Sequence, residues 1–102
     1  MSPFACDMTA LSSEQRSRHQ ELGELLRSAL VGARELSNGY DFEFSPDPKI
    51  YDALAEITPI EHACCPFFTI AIRLEHSRLF WQLTGSDDVK QFIRIEFAHW
   101  FR

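Results

Sequence analysis

The chain has 102 residues, of which 45 % are hydrophobic and 25 % are charged, as in an ordinary single globular domain. Its formal net charge of −5 argues against a nucleic-acid partner, and no segment has the basic or long apolar character that a membrane surface, a membrane span or a signal peptide requires. Three cysteines, two of them adjacent, do not form a secreted disulfide framework. We therefore expect a cytoplasmic domain over residues 1–102, with a flexible N-terminal segment over residues 1–11.

The first predicted helix runs from Ser13 to Leu36, with Ser12 or Ser13 as its cap. Gly39, in the sequence SNG, is placed for the left-handed position after the helix. A helix of about 24 residues is long for so small a domain, so part of its apolar stripe is predicted to serve a homodimer interface. The apolar positions that recur at helical spacing are Leu22, Leu25, Leu26, Ala29, Leu30 and Ala33.

A strand and a second helix are predicted next. Residues 40–44 alternate aromatic and acidic side chains, which is typical of a half-buried strand. Asp47 followed by Pro48 predicts an N-cap and a first-turn proline. The inner face of this second helix carries Ile50, Ala53, Leu54 and Ile57.

The rest of the chain predicts a hairpin and a last helix. Two alternating runs, residues 68–75 and 79–84, flank the short sequence HSR, and GSDD caps a helix that is apolar over most of its circumference. Glu96 lies among these apolar positions, and its extension to solvent is the favoured interpretation. The order α-β-α-β-β-α predicts an α+β fold in which helices cover a small antiparallel sheet with a β-hairpin.

The sequence EHACCPFF, residues 61–68, places two thiols side by side near the end of the second helix. On a helical wheel, Glu61, Cys64 and Cys65 fall on the inner face, and their spacings of three and four residues allow all three to meet. Pro59 offers an alternative, because a proline can split the helix. Glu61 would then belong to a capping box that starts at Thr58 and would need no ligand.

The position of the thiols favours ion binding over covalent catalysis. The negative end of a helix disfavours a thiolate, and the sequence contains no cysteine–histidine–acid arrangement. His19 lies in a charged stretch of the first helix and is assigned no role. A soft metal ion or metalloid, such as Zn, Hg or As(III), would favour the thiolate form. We predict a site of Cys64 and Cys65, with Cys6 as the third sulfur and Glu61 as a ligand or a nearby acceptor.

Two alternatives remain open, and no substrate or reaction is predicted. A thiol redox or transfer enzyme would use the same cysteines, with Cys6 forming a transient disulfide to Cys64 or Cys65. A non-catalytic homodimeric interaction module would use them only as small core residues.

The segments GYDFEF, EHACCPFFTIAIRL and LFWQLTGSDDVKQFI, with an early CDMT, resemble a small bacterial family of uncharacterised proteins. Its pattern is Cys-x-Leu-Thr near the N-terminus, then Glu-x-x-Cys-Cys-Pro-Phe before a hairpin and a helix. Met8 stands where the pattern has leucine, and Pro59 departs from it. The resemblance implies a shared fold and a site at Glu61, Cys64 and Cys65, but no established activity. The matching positions are Cys6, Thr9, Gly39, Phe44, Glu61, Cys64, Cys65, Pro66, Phe67 and Gly85.

Overall fold

Three helices and a four-stranded antiparallel sheet form the fold in the computed structural model, which describes residues 6–101. Residues 1–5 lie outside the described range, so the prediction of a flexible segment over residues 1–11 falls partly outside it. In chain order the elements are a 3-10 turn (Met8–Ala10), α1 (Ser13–Ser28), β1 (Leu30–Leu36), β2 (Gly39–Phe44), α2 (Pro48–Cys64), β3 (Thr69–Glu75), β4 (Arg78–Thr84), α3 (Asp87–Glu96) and a second 3-10 turn (Ala98–Trp100).

The strands are ordered β1-β2-β4-β3 across the sheet, and all three neighbouring pairs are antiparallel. Two hairpins, β1–β2 and β3–β4, therefore meet where β2 pairs with β4, which places Phe42 opposite Trp81. The predicted α+β class and the predicted hairpin are confirmed. The sheet contains one strand more than predicted.

The predicted length of the first helix is wrong. α1 ends at Ser28, and residues from Leu30 to Leu36 form β1, which pairs with β2 through positions such as Arg34 and Asp41. Val31 and Gly32 favour this outcome, because both are poor helix formers and the hairpin pairing stabilises a strand.

The left-handed position predicted for Gly39 is also wrong. None of the described glycines has a positive φ, and Gly39 is the first residue of β2. A Cβ there would clash with the carbonyl oxygen of Leu83 on β4. Close approach of two backbones, and not a left-handed turn, is the structural reason for a glycine at this position.

The core between the sheet and the helices is largely aromatic. Phe42 on β2 contacts Phe97 and Trp100 with ring centroids 5.7 and 5.2 Å apart, and Trp81 on β4 contacts the same two rings. These contacts hold the C-terminal end of α3 and the following turn over the middle of the sheet. Since α1 and α2 also pack on each other, their facing sides lie beside this core.

The face of the sheet that points away from the helices carries a buried carboxylate. Asp41 is 1 % exposed and accepts hydrogen bonds from Arg73 Nη2 at 3.0 Å and Arg34 Nη2 at 2.8 Å. Both guanidinium groups lie near the ring of Phe80. Burial acts to raise the pKa of Asp41, but the hydrogen bonds from Arg73 and Arg34 outweigh it and hold the pKa below its ordinary value.

Replacing Asp41 by asparagine is expected to lower the free energy of unfolding at neutral pH by about 1–3 kcal/mol, because both arginines lose a charged partner. Since the pKa of Asp41 is lower in the folded state than in the unfolded state, its stabilisation is present above the unfolded value and is lost as the pH falls through the folded value. Denaturant unfolding should therefore show the difference between wild type and Asp41→Asn shrinking below about pH 4.

Glu43→Gln is the matched control for this measurement. Glu43 lies on the same strand and face and pairs with Arg78, which is largely exposed. Removing the charge of Glu43 is therefore expected to lower the free energy of unfolding by less than Asp41→Asn does. A stability difference for Asp41→Asn that stayed constant through the acid range would contradict the assigned role of this carboxylate.

Candidate thiol site

α2 runs without interruption from Pro48 to Cys64 and carries Pro59 inside it. Thr58 does not cap a second helix. Its hydroxyl donates to the carbonyl oxygen of Leu54 at 2.7 Å and accepts from the indole N–H of Trp81 at 3.0 Å. The capping-box interpretation of Glu61 is therefore wrong, and the carboxylate of Glu61 is available to the thiols.

The end of α2 buries one carboxylate and two sulfurs together. Glu61 is 3 % exposed, Cys64 1 % and Cys65 0 %, as the helical wheel predicts for the inner face. The two sulfurs lie 3.7 Å apart, and Cys65 Sγ lies 3.6 Å from Glu61 Oε1. Cys65 closes the helix, since its N–H donates to the carbonyl oxygen of Glu61 at 2.8 Å.

The N-terminal segment brings the third sulfur to the same place. Cys6 forms a disulfide with Cys65, and the N–H of Asp7 donates to the carbonyl oxygen of Cys64 at 2.8 Å. Leu11, which is 3 % exposed, anchors the segment in the core. Two contacts besides the disulfide therefore hold Cys6 over the end of α2.

One donor atom from each of the four predicted ligands, Cys6, Glu61, Cys64 and Cys65, lies within 4.8 Å of the others. Cys64 is the free thiol in the described range, because the other two sulfurs are bonded to each other. All three thiols are available only after this disulfide is reduced. Soft ions bind thiolates in preference to hard oxygen donors, so the reduced set matches a soft ion or metalloid better than a hard cation.

His19 also contacts the site, a role that was not predicted from the sequence. Its Nε2 lies 2.6 Å from Glu61 Oε2, so the two carboxylate oxygens of Glu61 point to different partners, His19 and Cys65. The hydrogen bond to Glu61 raises the pKa of His19, and burial only partly opposes it. The packing of α1 against α2 creates this contact across 42 positions of sequence, and no local motif predicts it.

The surroundings keep the free thiol protonated at neutral pH. Burial raises the pKa of Cys64 to about 11, and the negative charge of Glu61 adds to the effect. A protonated thiol is a weak nucleophile. For Cys64, the electrostatics therefore agree with the sequence-based argument that a cysteine at this helix end is poorly placed for spontaneous covalent catalysis.

A small cavity of about 120 Å³ reaches the site from the side of α1 and α3, and its wall includes His19, Glu61, Glu96 and His99. Glu96 is exposed, in agreement with the favoured interpretation of the sequence, and His99 is exposed as well. The cavity is large enough for a few water molecules or a small inorganic species, and it gives Glu61 a route to solvent.

No protein-family model, curated protein or solved structure matches the chain. The family resemblance described above therefore remains an expectation. Among the described helices, none combines the length and the apolar character needed to cross a membrane. The site is a cluster of three sulfurs and a carboxylate, in which Glu61, Cys64 and Cys65 are buried and Cys6 is partly exposed.

Proposed function

We propose that the reduced protein binds a soft metal ion or metalloid through Cys6, Cys64 and Cys65, with Glu61 beside the sulfurs. The observation that carries this proposal is the convergence of these four donors within 4.8 Å at a buried helix end. Sulfurs from two separate segments meet there, and the Asp7–Cys64 hydrogen bond keeps both segments together.

The charge of the site favours a trivalent metalloid over a divalent cation. Arsenous acid condenses with three thiols to a neutral tris-thiolate and releases three water molecules. Zinc bound by three thiolates and Glu61 would instead leave a net negative charge in the site. Because burying a net charge is expensive, and Cys64, Cys65 and Glu61 are each at most 3 % exposed, the neutral As(III) complex is the best-matched occupant.

Intact-mass spectrometry tests the proposal. Reduced protein, freed of reductant under anaerobic conditions, is incubated with arsenite, and we expect one arsenic per chain in place of three hydrogens. The absence of an adduct would contradict ion binding. An adduct that replaced only two hydrogens and retained a hydroxyl group would show that only two of the three thiols bind the arsenic.

A thiol redox enzyme is the second candidate, and the disulfide between Cys6 and Cys65 is the observation that favours it. Its test is the rate of turnover, because an enzyme would consume a hydroperoxide in the presence of a dithiol reductant many times faster than free thiols do. An ion-binding protein would consume it no faster than an equal concentration of free cysteine. The predicted homodimer is compatible with both candidates and stays a prediction.

A further inference from the structure

We propose that oxidation closes this ion site, because the disulfide between Cys6 and Cys65 and the bound ion use the same sulfurs. The inference rests on the proposed function and concerns its regulation. In the oxidised form only the thiol of Cys64 remains beside Glu61. One thiol and one carboxylate cannot form the three-sulfur set, so the oxidised protein is the form that releases the ion.

Burial decides which sulfur an oxidant reaches first. Cys64 and Cys65 are at most 1 % exposed, whereas Cys6 is partly exposed. A hydroperoxide therefore oxidises the sulfur of Cys6 to a sulfenic acid, and its O–O bond breaks to release an alcohol. The sulfur of Cys65 then attacks that of Cys6, and the S–S bond forms. The sulfenic oxygen leaves as water, which carries the sulfenic proton and the thiol proton of Cys65.

The same exposure decides how the site reopens. A dithiol reductant attacks the accessible sulfur of Cys6, displaces the sulfur of Cys65 as a thiol, and then closes its own disulfide to release Cys6. The Asp7–Cys64 hydrogen bond and the buried side chain of Leu11 hold the segment in place without the disulfide. The reduced Cys6 thus stays over the helix end, ready to complete the site.

Cys64 does not substitute for Cys6 in this reaction. Its sulfur lies 3.7 Å from that of Cys65, but a disulfide between consecutive residues needs a strained backbone. The Cα atoms of Cys6 and Cys65 are 4.7 Å apart, within the ordinary range for a disulfide. Oxidation is therefore directed to the pair that joins the N-terminal segment to α2.

Phenylarsine oxide is the probe for the test, because it needs only two thiols. Calorimetric titration of reduced wild-type protein should show binding, which an alkyl hydroperoxide abolishes and a dithiol reductant, removed before titration, restores. Peptide mapping should find the oxidised link between Cys6 and Cys65. Cys6→Ser is the matched variant: it cannot form the disulfide, so peptide mapping after the same peroxide treatment should find Cys64 and Cys65 as free thiols, and its affinity for the probe should not change on that treatment. Cys6→Ala serves if the serine variant does not fold.

The outcomes separate the two proposals. If oxidised and reduced wild-type proteins bind the probe equally, oxidation does not close the site, and the proposed ion binding stands. If Cys6→Ser loses binding on peroxide treatment as wild type does, oxidation acts on Cys64 or Cys65. The proposal that the disulfide of Cys6 closes the site would then be wrong. If even the reduced wild-type protein does not bind, the proposed function itself fails.

Discussion

Replacing Cys64 or Cys65 by serine is expected to weaken arsenite binding by about 100-fold or more. Donors that are held together in one site bind about 10²–10⁴ times more tightly than separate donors, and each variant loses one of them. Each variant leaves two sulfurs, which cannot complete the trigonal set, and a hydroxyl group is a poor replacement for a thiolate on a soft ion. Calorimetric titration of the reduced proteins with arsenite measures the loss, and circular dichroism shows that each variant folds.

Ala53→Ser is the matched control for a buried hydroxyl group. Ala53 is 4 % exposed on the inner face of the same helix but is not one of the four site residues. All of these serine variants are expected to lose stability, on the order of 1–3 kcal/mol, while only the cysteine variants lose affinity. Unchanged affinity in both cysteine variants would show that the sulfurs act only as core residues.

Replacing Glu61 by glutamine is expected to lower the affinity for zinc much more than the affinity for arsenite. Glutamine keeps the shape and the hydrogen-bonding capacity toward His19 but removes the carboxylate that a tetrahedral zinc site would use. We expect zinc affinity to fall by about 10- to 100-fold, as is typical when a partner group at a metal site is lost. Arsenite affinity should change far less, because three sulfurs satisfy As(III). Competition titrations on the reduced protein measure both.

Glu96→Gln provides the control for this charge change, since Glu96 borders the same small cavity but is exposed. Its affinities for both ions should stay close to those of wild type. Because Glu61→Gln removes one partner of a largely buried pair and leaves His19 without its carboxylate, the variant should also unfold at a lower denaturant concentration than wild type. A strongly destabilised Glu61→Gln with unchanged zinc affinity would make Glu61 a structural residue only.

The elements with strong local signals were predictable from the sequence. Asp47 and Pro48 mark the start of α2, and the alternation in residues 68–84 marks the β3–β4 hairpin. The overrun of the first helix has a physical cause. Leu30 and Ala33 continue the helical spacing, but pairing with β2 places them in a strand, and single-segment periodicity contains no information about that partner.

The candidate site also has a part that was predictable from the sequence and a part that was not. The joint position of Glu61, Cys64 and Cys65 follows from helical spacing, because Pro59 does not interrupt α2. The contact from His19 depends on how two helices pack, and the sequence contains no motif for it. The choice of Cys65 as the disulfide partner of Cys6 depends on where the N-terminal segment crosses the helix end, which only the fold determines.

Arsenic K-edge X-ray absorption of the reduced protein loaded with one equivalent of arsenite shows which atoms bind the arsenic. We expect three sulfurs, those of Cys6, Cys64 and Cys65, and no oxygen. A shell that retained oxygen, or an arsenic that stayed as free arsenous acid, would contradict the claim that these three sulfurs form one ion site.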